Sequence, residues 1–232
     1  MAEKVVGIIG GLGPYATLDT FKKLLDSTPV TVEQDHIHVI IDSNSKIPDR
    51  TAAVSAGQGD RVRDKLIETA KTLQAAGCDF LILPCNSAHY FYDDLARAVD
   101  IPVLNIIEEV VKHIRGTHPD TKKIGVISSG LTNEAGLYDK YFKRGGFTAV
   151  KPDKAGQDRV SKAIEAVKLN AQTAQTKEAV LGVIDGLVAQ GAEGVVLGCT
   201  ELQLLVGDAD AEIPLYDSVD ILVQAAIRRA KE

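Results

Sequence analysis

Short apolar runs alternate with longer segments in which apolar residues recur at helical spacing. The pattern predicts strands at Val5–Ile9, Ile37–Ile41, Phe80–Leu83 and Val103–Asn105, and helices at Tyr15–Asp26, Asp60–Ala76 and Ile106–Ile114. Strands that are apolar throughout are typical of parallel sheets covered on both faces. The alternation therefore predicts an α/β fold.

The second half of the chain repeats the landmarks of the first half in the same order. Each half has a glycine-containing strand, a glycine eight residues before a cysteine, and an Ile-Pro pair. These landmarks are Val6–Leu12, Gly77 with Cys85 and Ile101–Pro102 in the first half, and Ile124–Gly130, Gly191 with Cys199 and Ile213–Pro214 in the second. We therefore expect two similar Rossmann-like lobes with parallel sheets, related by a pseudo-two-fold, with an active site in the cleft between them.

The lobe boundary is expected in the cluster of turn-forming residues Gly116–Thr121. This places the first α/β lobe at residues 1–115 and the second at residues 116–215. A helical pattern at Val219–Arg229 predicts that the C-terminal segment, residues 216–232, returns to the first lobe.

Composition and charge exclude several classes of protein. The 232 residues are 45% hydrophobic and 25% charged, with 26 basic and 32 acidic side chains, a net charge of -6. This balance argues against a nucleic-acid partner. No apolar run approaches the ~18 residues of a membrane span, and the N-terminus does not resemble a signal peptide. We expect a cytoplasmic protein with a small-molecule partner.

The three cysteines are the first candidates for chemistry. Their odd number and the absence of a C-x-x-C motif argue against a disulfide framework and a zinc site. Cys85 and Cys199 each close an apolar run, at the strand ends where α/β folds bind ligands. Cys78 does not, and we expect it to be structural. Buried, inert thiols remain the alternative for the other two.

The residues after each strand-end cysteine strengthen the catalytic interpretation. Asn86-Ser87 and Thr200 are typical helix caps, and a helix N-terminus stabilises a neighbouring thiolate. The pseudo-two-fold would place the thiols of Cys85 and Cys199 face to face. One could then remove a proton from one face of a carbon centre while the other protonates the opposite face.

Four motifs together resemble the aspartate/glutamate racemase family over essentially the whole chain. They are Gly10–Pro14, Ile47–Thr51, Pro84–His89 and Gly198–Glu201. The chain is most similar to the aspartate racemases, because Thr200-Glu201 stands where glutamate racemases have Thr-His. The resemblance implies a homodimer without cofactor or metal, with Cys85 and Cys199 as the catalytic pair. It also implies substrate contacts from Asp49, Arg50, Thr51, Asn86, Ser87, Ala88, Lys168 and Thr200.

The resemblance implies racemisation of an acidic amino acid, aspartate before glutamate. Arg50 could bind one carboxylate in a bidentate fork, and Lys168 could pair with the other. The turn Ser128–Thr132 departs from a threonine-rich turn in relatives, which leaves the substrate open. A related isomerase or decarboxylase acting on another small carboxylic acid, and a non-catalytic dicarboxylate-binding protein, remain the alternatives.

Three weaker patterns have competing explanations. Gly11–Ala16 matches a dinucleotide fingerprint, but the strand-end acid Asp42 lies 31 residues beyond Gly11, further than the usual ~20. We expect backbone N–H groups of this turn to approach an anionic substrate instead. His36 and His38 lack a third metal ligand nearby. His89 could form a Cys–His nucleophile with Cys85.

Overall fold

The computed structural model describes residues 3–232, which divide into two compact units. The first unit contains the chain up to Glu109 together with Val219–Glu232, and the second contains Val110–Ser218. The division lies inside a helix, upstream of the Gly116–Thr121 cluster at which the sequence predicts it. No helix within residues 3–232 is long and apolar enough to cross a membrane.

The first unit is built on a four-stranded parallel sheet with strand order β2-β1-β3-β4. In chain order its elements are β1 (Val6–Gly10), α1 (Pro14–Ser27), β2 (Val39–Ser43), α2 (Arg50–Ser55), α3 (Gly59–Ala75), β3 (Phe80–Ile82), α4 (Tyr92–Arg97), β4 (Val103–Leu104) and the start of α5 (Ile106–Thr117). Short 3-10 helices lie at Glu33–Asp35 and Ser87–Phe91.

The second unit repeats this strand order as β6-β5-β7-β8, again with all pairs parallel. Its elements are β5 (Lys123–Ser128), α6 (Gly130–Glu134), α7 (Leu137–Gly145), β6 (Thr148–Val150), α8 (Lys154–Lys168), α9 (Ala174–Ala189), β7 (Val195–Gly198) and β8 (Leu215–Asp217). Further 3-10 turns lie at Leu202–Leu204 and Asp208–Asp210, and α10 (Ser218–Ala230) ends the chain. The predicted α/β class with two parallel sheets is confirmed.

Several predicted strand ends are wrong by one or two residues. Ile37 and Leu83 are buried, yet they lie outside β2 and β3. The prediction rested on apolar runs, which report burial, whereas a strand residue must also pair with a neighbouring strand. The apolar runs therefore extend beyond the paired residues.

The internal repeat extends to the hydrogen bonds that start each central strand. Asp79 Oδ2 accepts from the Val5 N–H at 2.6 Å, and Glu193 Oε2 accepts from the N–H groups of Lys122 and Lys123 at 2.6 and 2.8 Å. These backbone donors lower the pKa of the Glu193 carboxyl. The two acids occupy matching positions, two residues after Gly77 and Gly191.

Glycines in the two central strands allow close packing of their neighbours. A Cβ at Gly7 would lie 2.4 Å from Leu81 Cδ2 and 2.9 Å from Cys78 Sγ. A Cβ at Gly125 would lie 2.7 Å from Val195 Cγ2. All three distances are shorter than van der Waals contacts, so each sheet would have to shift to accommodate a side chain at its glycine.

We predict that Gly125→Ala lowers the free energy of unfolding by about 1–3 kcal/mol, the usual cost of overpacking. Gly182→Ala is the matched control, because Gly182 is an exposed position of α9 with open space around it. Alanine there should raise the free energy of unfolding by about 0.5–1 kcal/mol through helix propensity. Denaturant titration measures both, and equal stability of Gly125→Ala and the unsubstituted protein would contradict the packing argument.

Candidate functional site

Cys85 lies just beyond the end of β3, as the sequence predicts. Its side chain is buried, and its N–H donates to the Leu83 carbonyl at 2.8 Å. The Sγ atom is 3.5 Å from Ser87 Oγ, within hydrogen-bond distance for sulfur. Either atom can be the donor, because a hydroxyl and a thiol can each donate or accept a hydrogen bond.

A short helix starts after Asn86, as its capping residues predict, but it is a 3-10 helix without a side-chain cap. Ser87–Phe91 is a 3-10 helix, closed by a bond from the His89 N–H to the Asn86 carbonyl at 3.0 Å. No side chain caps its start. The second cysteine is followed by another short 3-10 turn without a side-chain cap. Such short segments have a weak dipole, so local hydrogen bonds matter more for these thiols.

His89 is a structural link and not a partner for the Cys85 thiol. Its Nδ1 lies 2.9 Å from the Cys85 carbonyl oxygen, and its Nε2 accepts from the Ile106 N–H at 3.1 Å. Because Nε2 accepts, Nδ1 carries the proton and the ring is neutral. Burial lowers the pKa of His89 to about 4. The imidazole therefore ties the cysteine segment to the start of α5, and no Cys–His nucleophile is present.

Arg50 begins α2 and is buried beside the turn that follows β1. Its Nη1 donates to the Pro48 carbonyl and its Nη2 to the Leu12 carbonyl, both at 3.4 Å. These distances are long for N–H···O hydrogen bonds. A carboxylate binds a guanidinium more strongly than a carbonyl does, so an anion could displace these contacts. The helix α2 packs against the 3-10 helix that follows Cys85.

The other predicted substrate contacts of the first unit differ in accessibility. Asp49 is exposed and caps α2, since its Oδ1 accepts from the Ala52 N–H at 2.9 Å. Thr51 is partly exposed, whereas Asn86 and Ser87 are buried. Ala88 has no accessible surface and packs in the apolar cluster that includes Cys85. The structure therefore gives Asp49 and Ala88 a structural role, and their substrate contacts stay a prediction.

Cys199 follows directly after β7 and is partly exposed. Its Sγ donates to Glu201 Oε2 at 3.0 Å, and Thr200 Oγ1 donates to the same oxygen, also at 3.0 Å. Thr200 and Glu201 are both buried. From the sequence motif alone, Glu201 is only a marker of the family branch. An acid two residues after a candidate catalytic cysteine was the signal that could have revealed this contact.

Tyr138 of α7 packs behind the second cysteine. Burial raises the pKa of its hydroxyl, and Cys199 and Asp217 lie within electrostatic reach of it. A Cβ at Gly198 would be 3.2 Å from Tyr138 Cε2, which explains the glycine before Cys199. This buried tyrosine therefore stays neutral at physiological pH.

Lys168 and the turn Ser128–Thr132 are the other predicted features of the second unit, and each adjoins a residue that packs or pairs close to Cys199. Lys168 is the last residue of α8 and is exposed, and Val167 before it shares an apolar cluster with Leu202 and Cys199. Ser128 pairs with Gly198 in the sheet. The turn that begins there therefore lies at the same sheet edge as Cys199, and its Ser129 and Thr132 hydroxyls are 3.0 Å apart.

The glycine-rich turn after β1 is explained by packing. A Cβ at Gly11 would lie 2.3 Å from the Asn44 carbonyl carbon, and the Gly11 N–H donates to Thr17 Oγ1 at 2.9 Å. This N–H is therefore already bound within the protein, and an approach of the other N–H groups of the turn to an anionic substrate stays a prediction. Within residues 3–232 no group of three or more His, Cys, Asp or Glu side chains could hold a metal ion.

Comparison with known proteins identifies the family. The sequence profile of the Asp/Glu/Hydantoin racemase family matches residues 9–226 of the chain. The chain belongs to this family. The broad specificity amino-acid racemase RacX of Bacillus subtilis is similar to it, with 29% identity over 227 residues, which are 96% of each sequence.

Two solved structures of related proteins share the fold. The Picrophilus torridus aspartate racemase has a TM-score of 0.87 and 29% identity, and the match covers 98% of this chain and 94% of that one. An aspartate racemase homologue from Pyrococcus horikoshii has a TM-score of 0.81 and 28% identity, over 99% and 100% of the two chains. The resemblance stated from the motifs is confirmed, and the protein is a racemase of a family that works without pyridoxal phosphate.

The buried His89 predicts a pH dependence of the stability of the racemase. Because its pKa falls from 6.5 in the unfolded chain to about 4 in the folded one, its contribution is complete above pH 6.5 and is lost as the pH falls toward 4. We expect the free energy of unfolding to fall by about 2 kcal/mol between pH 7 and pH 5 from this group. His89→Gln should flatten that dependence, and parallel pH profiles of the two proteins would contradict the assignment.

Proposed function

We propose that the protein racemises an acidic amino acid, with aspartate as first substrate and glutamate as second, through Cys85 and Cys199. The observation that carries the proposal is the environment of the two strand-end thiols. Cys85 has a hydroxyl within reach, whereas Cys199 donates its proton to a carboxylate. One thiol is thus suited to act as a base and the other as an acid.

In the proposed reaction, the Cys85 thiolate takes the α-proton from one face of the substrate, and the Cα–H electron pair remains on carbon as a carbanion. The Cys199 thiol then donates its proton to the opposite face. The products are the other enantiomer, a Cys85 thiol and a Cys199 thiolate, which is the form that runs the reverse reaction. The step needs no oxidant or reductant.

Arg50 is proposed to bind the side-chain carboxylate of the substrate, and Lys168 the α-carboxylate. Arg50 is supported by its burial and its long contacts to carbonyl groups, which a carboxylate could replace. Lys168 is supported by its position at the end of a helix that packs against the turn after Cys199. A cation near the α-carboxylate stabilises the charge that grows as the proton leaves.

A broader amino-acid range is the second candidate. The Bacillus subtilis relative is named a broad specificity amino-acid racemase and matches nearly the whole chain. The turn Ser128–Thr132, where the resemblance implies a threonine-rich turn, begins at the residue that pairs with Gly198, next to Cys199. A different hydroxyl pattern there would alter which substrate groups are bound.

The homodimer expected from the resemblance stays a prediction.

The two-thiol reaction is tested by replacing each cysteine with serine. Cys85→Ser and Cys199→Ser should each lower the kcat for aspartate racemisation by about 10²–10⁴-fold, since serine is a much poorer acid and base at neutral pH. Chiral chromatography of the product measures the rate. Cys78→Ala is the control, because Cys78 is a buried thiol that packs against Gly7 of β1. This substitution should leave kcat unchanged. Full activity in either serine variant would refute the proposal.

Arg50→Lys should separate substrates by their charge. Lysine cannot form the bidentate contact, so we expect the KM for aspartate to rise about 10-fold or more, with a smaller change for neutral amino acids. Arg61→Lys is the control, since Arg61 is exposed and contacts Gln58 on the surface. Equal effects of Arg50→Lys on aspartate and alanine kinetics would show that Arg50 does not select the side-chain carboxylate.

A further inference from the structure

The two cysteines differ in the hydrogen bonds that they make. Cys199 Sγ donates to Glu201 Oε2 at 3.0 Å, while the partner within reach of Cys85 Sγ is the Ser87 hydroxyl at 3.5 Å. A carboxylate accepts the thiol proton and repels a thiolate, so it favours the protonated form of Cys199. The Ser87 hydroxyl is uncharged and either atom can be the donor, so this contact accommodates an ionised Cys85 without repulsion.

Glu201 is held in position for this contact. It is 6% exposed, and Thr200 Oγ1 donates to the same Oε2 atom at 3.0 Å. The adjacent 3-10 turn begins with a bond from the Leu202 N–H to the Cys199 carbonyl at 3.0 Å. The backbone bond keeps the two residues on one tight turn, and the Thr200 hydroxyl holds the carboxylate oxygen that accepts from the thiol.

Other charged or titratable groups near this turn come from three elements. Tyr138 of α7 lies within electrostatic reach of Cys199, and Asp217 at the end of β8 lies within reach of Tyr138. Lys168 ends α8, which packs against the Leu202–Leu204 turn. Tyr138 is buried and neutral, so it adds no charge beside Cys199. The Glu201 carboxylate contacts the Cys199 thiol directly.

We infer that Glu201 is a positioning residue that holds Cys199 as the proton donor of the resting enzyme, with Cys85 as the proton acceptor. The inference rests on the proposed function for its catalytic consequence, but the preference of the two thiols is a property of the protein alone. The enantiomer whose α-proton faces Cys85 binds to the resting form of the enzyme, in which Cys85 is ready to accept that proton. The other enantiomer requires the less populated form, in which Cys199 is ionised beside the Glu201 carboxylate.

This bias has a defined kinetic signature. The equilibrium constant of a racemisation is one, so kcat/KM must be equal for the two enantiomers. A bias between resting forms therefore raises KM and kcat together for the enantiomer that needs the minor form. We expect unequal KM values for L- and D-aspartate in the unsubstituted enzyme. Glu201→Gln should bring the two KM values closer together.

Alkylation of the thiols tests the inference without reference to any substrate. Iodoacetamide reacts with thiolates, and peptide mass spectrometry gives a separate rate for each cysteine. Because Cys85 is buried and Cys199 is partly exposed, each rate is followed as a function of pH, and we expect the Cys85 rate to rise at lower pH than the Cys199 rate. Glu201→Gln should speed the reaction of Cys199 at least tenfold and shift its onset to lower pH, with little change at Cys85. Glu212→Gln, which removes an exposed acid of the same unit, should change neither rate.

The outcomes separate this inference from the proposed function. An unchanged Cys199 rate in Glu201→Gln, in a variant whose circular dichroism and unfolding midpoint match the parent, would overturn the role of Glu201. A Cys199 rate that rises at lower pH than the Cys85 rate in the parent would also overturn it. If the alkylation rates shift as expected but aspartate and glutamate are not racemised, the inference about the resting thiols stands and the proposed substrates fail.

Discussion

The pairing of β3 with β1, and of β7 with β5, determines where both thiols lie. Parallel strands end at a common edge of the sheet, and each cysteine follows the strand next to the central one. The pairing is possible because Gly7 and Gly125 leave room for neighbouring side chains. Asp79 and Glu193 then bind the backbone at the start of each central strand. Chemistry at the strand ends therefore depends on packing and hydrogen bonds elsewhere in the sheet.

Much of the fold could be predicted because it depends on burial and on repetition. The apolar runs identified the strands, and the matched spacing of Gly77–Cys85 and Gly191–Cys199 indicated two similar sheets. Other features depend on interactions between distant residues. The α2 helix follows from a cap by Asp49, and the turn at Gly11 from its approach to Asn44, neither of which periodicity reveals. The segment after Cys85 is a 3-10 helix tied down by His89, although its residues are typical of a helix cap.

The candidate site was predicted in part for the same reason. Cys85 and Cys199 each follow a buried strand, and the apolar runs locate the ends of these strands to within one or two residues. The contact between Glu201 and Cys199 depends on the tight turn between them, and its geometry is visible only in the structure. The tautomer of His89 likewise depends on the Ile106 N–H, which is distant in sequence. Residues carried over from relatives, such as Ala88, are harder to assign because burial in an apolar cluster also explains them.

In the proposed mechanism, two thiols act on opposite faces of one carbon atom. The decisive measurement is the early time course of the reaction in D2O, starting from L-aspartate. The first D-aspartate formed should carry one deuterium at Cα, while the remaining L-aspartate stays protiated, because each face is served by a different thiol. Deuterium appearing in both enantiomers at equal early rates would refute the two-thiol mechanism, since a single base would then serve both faces.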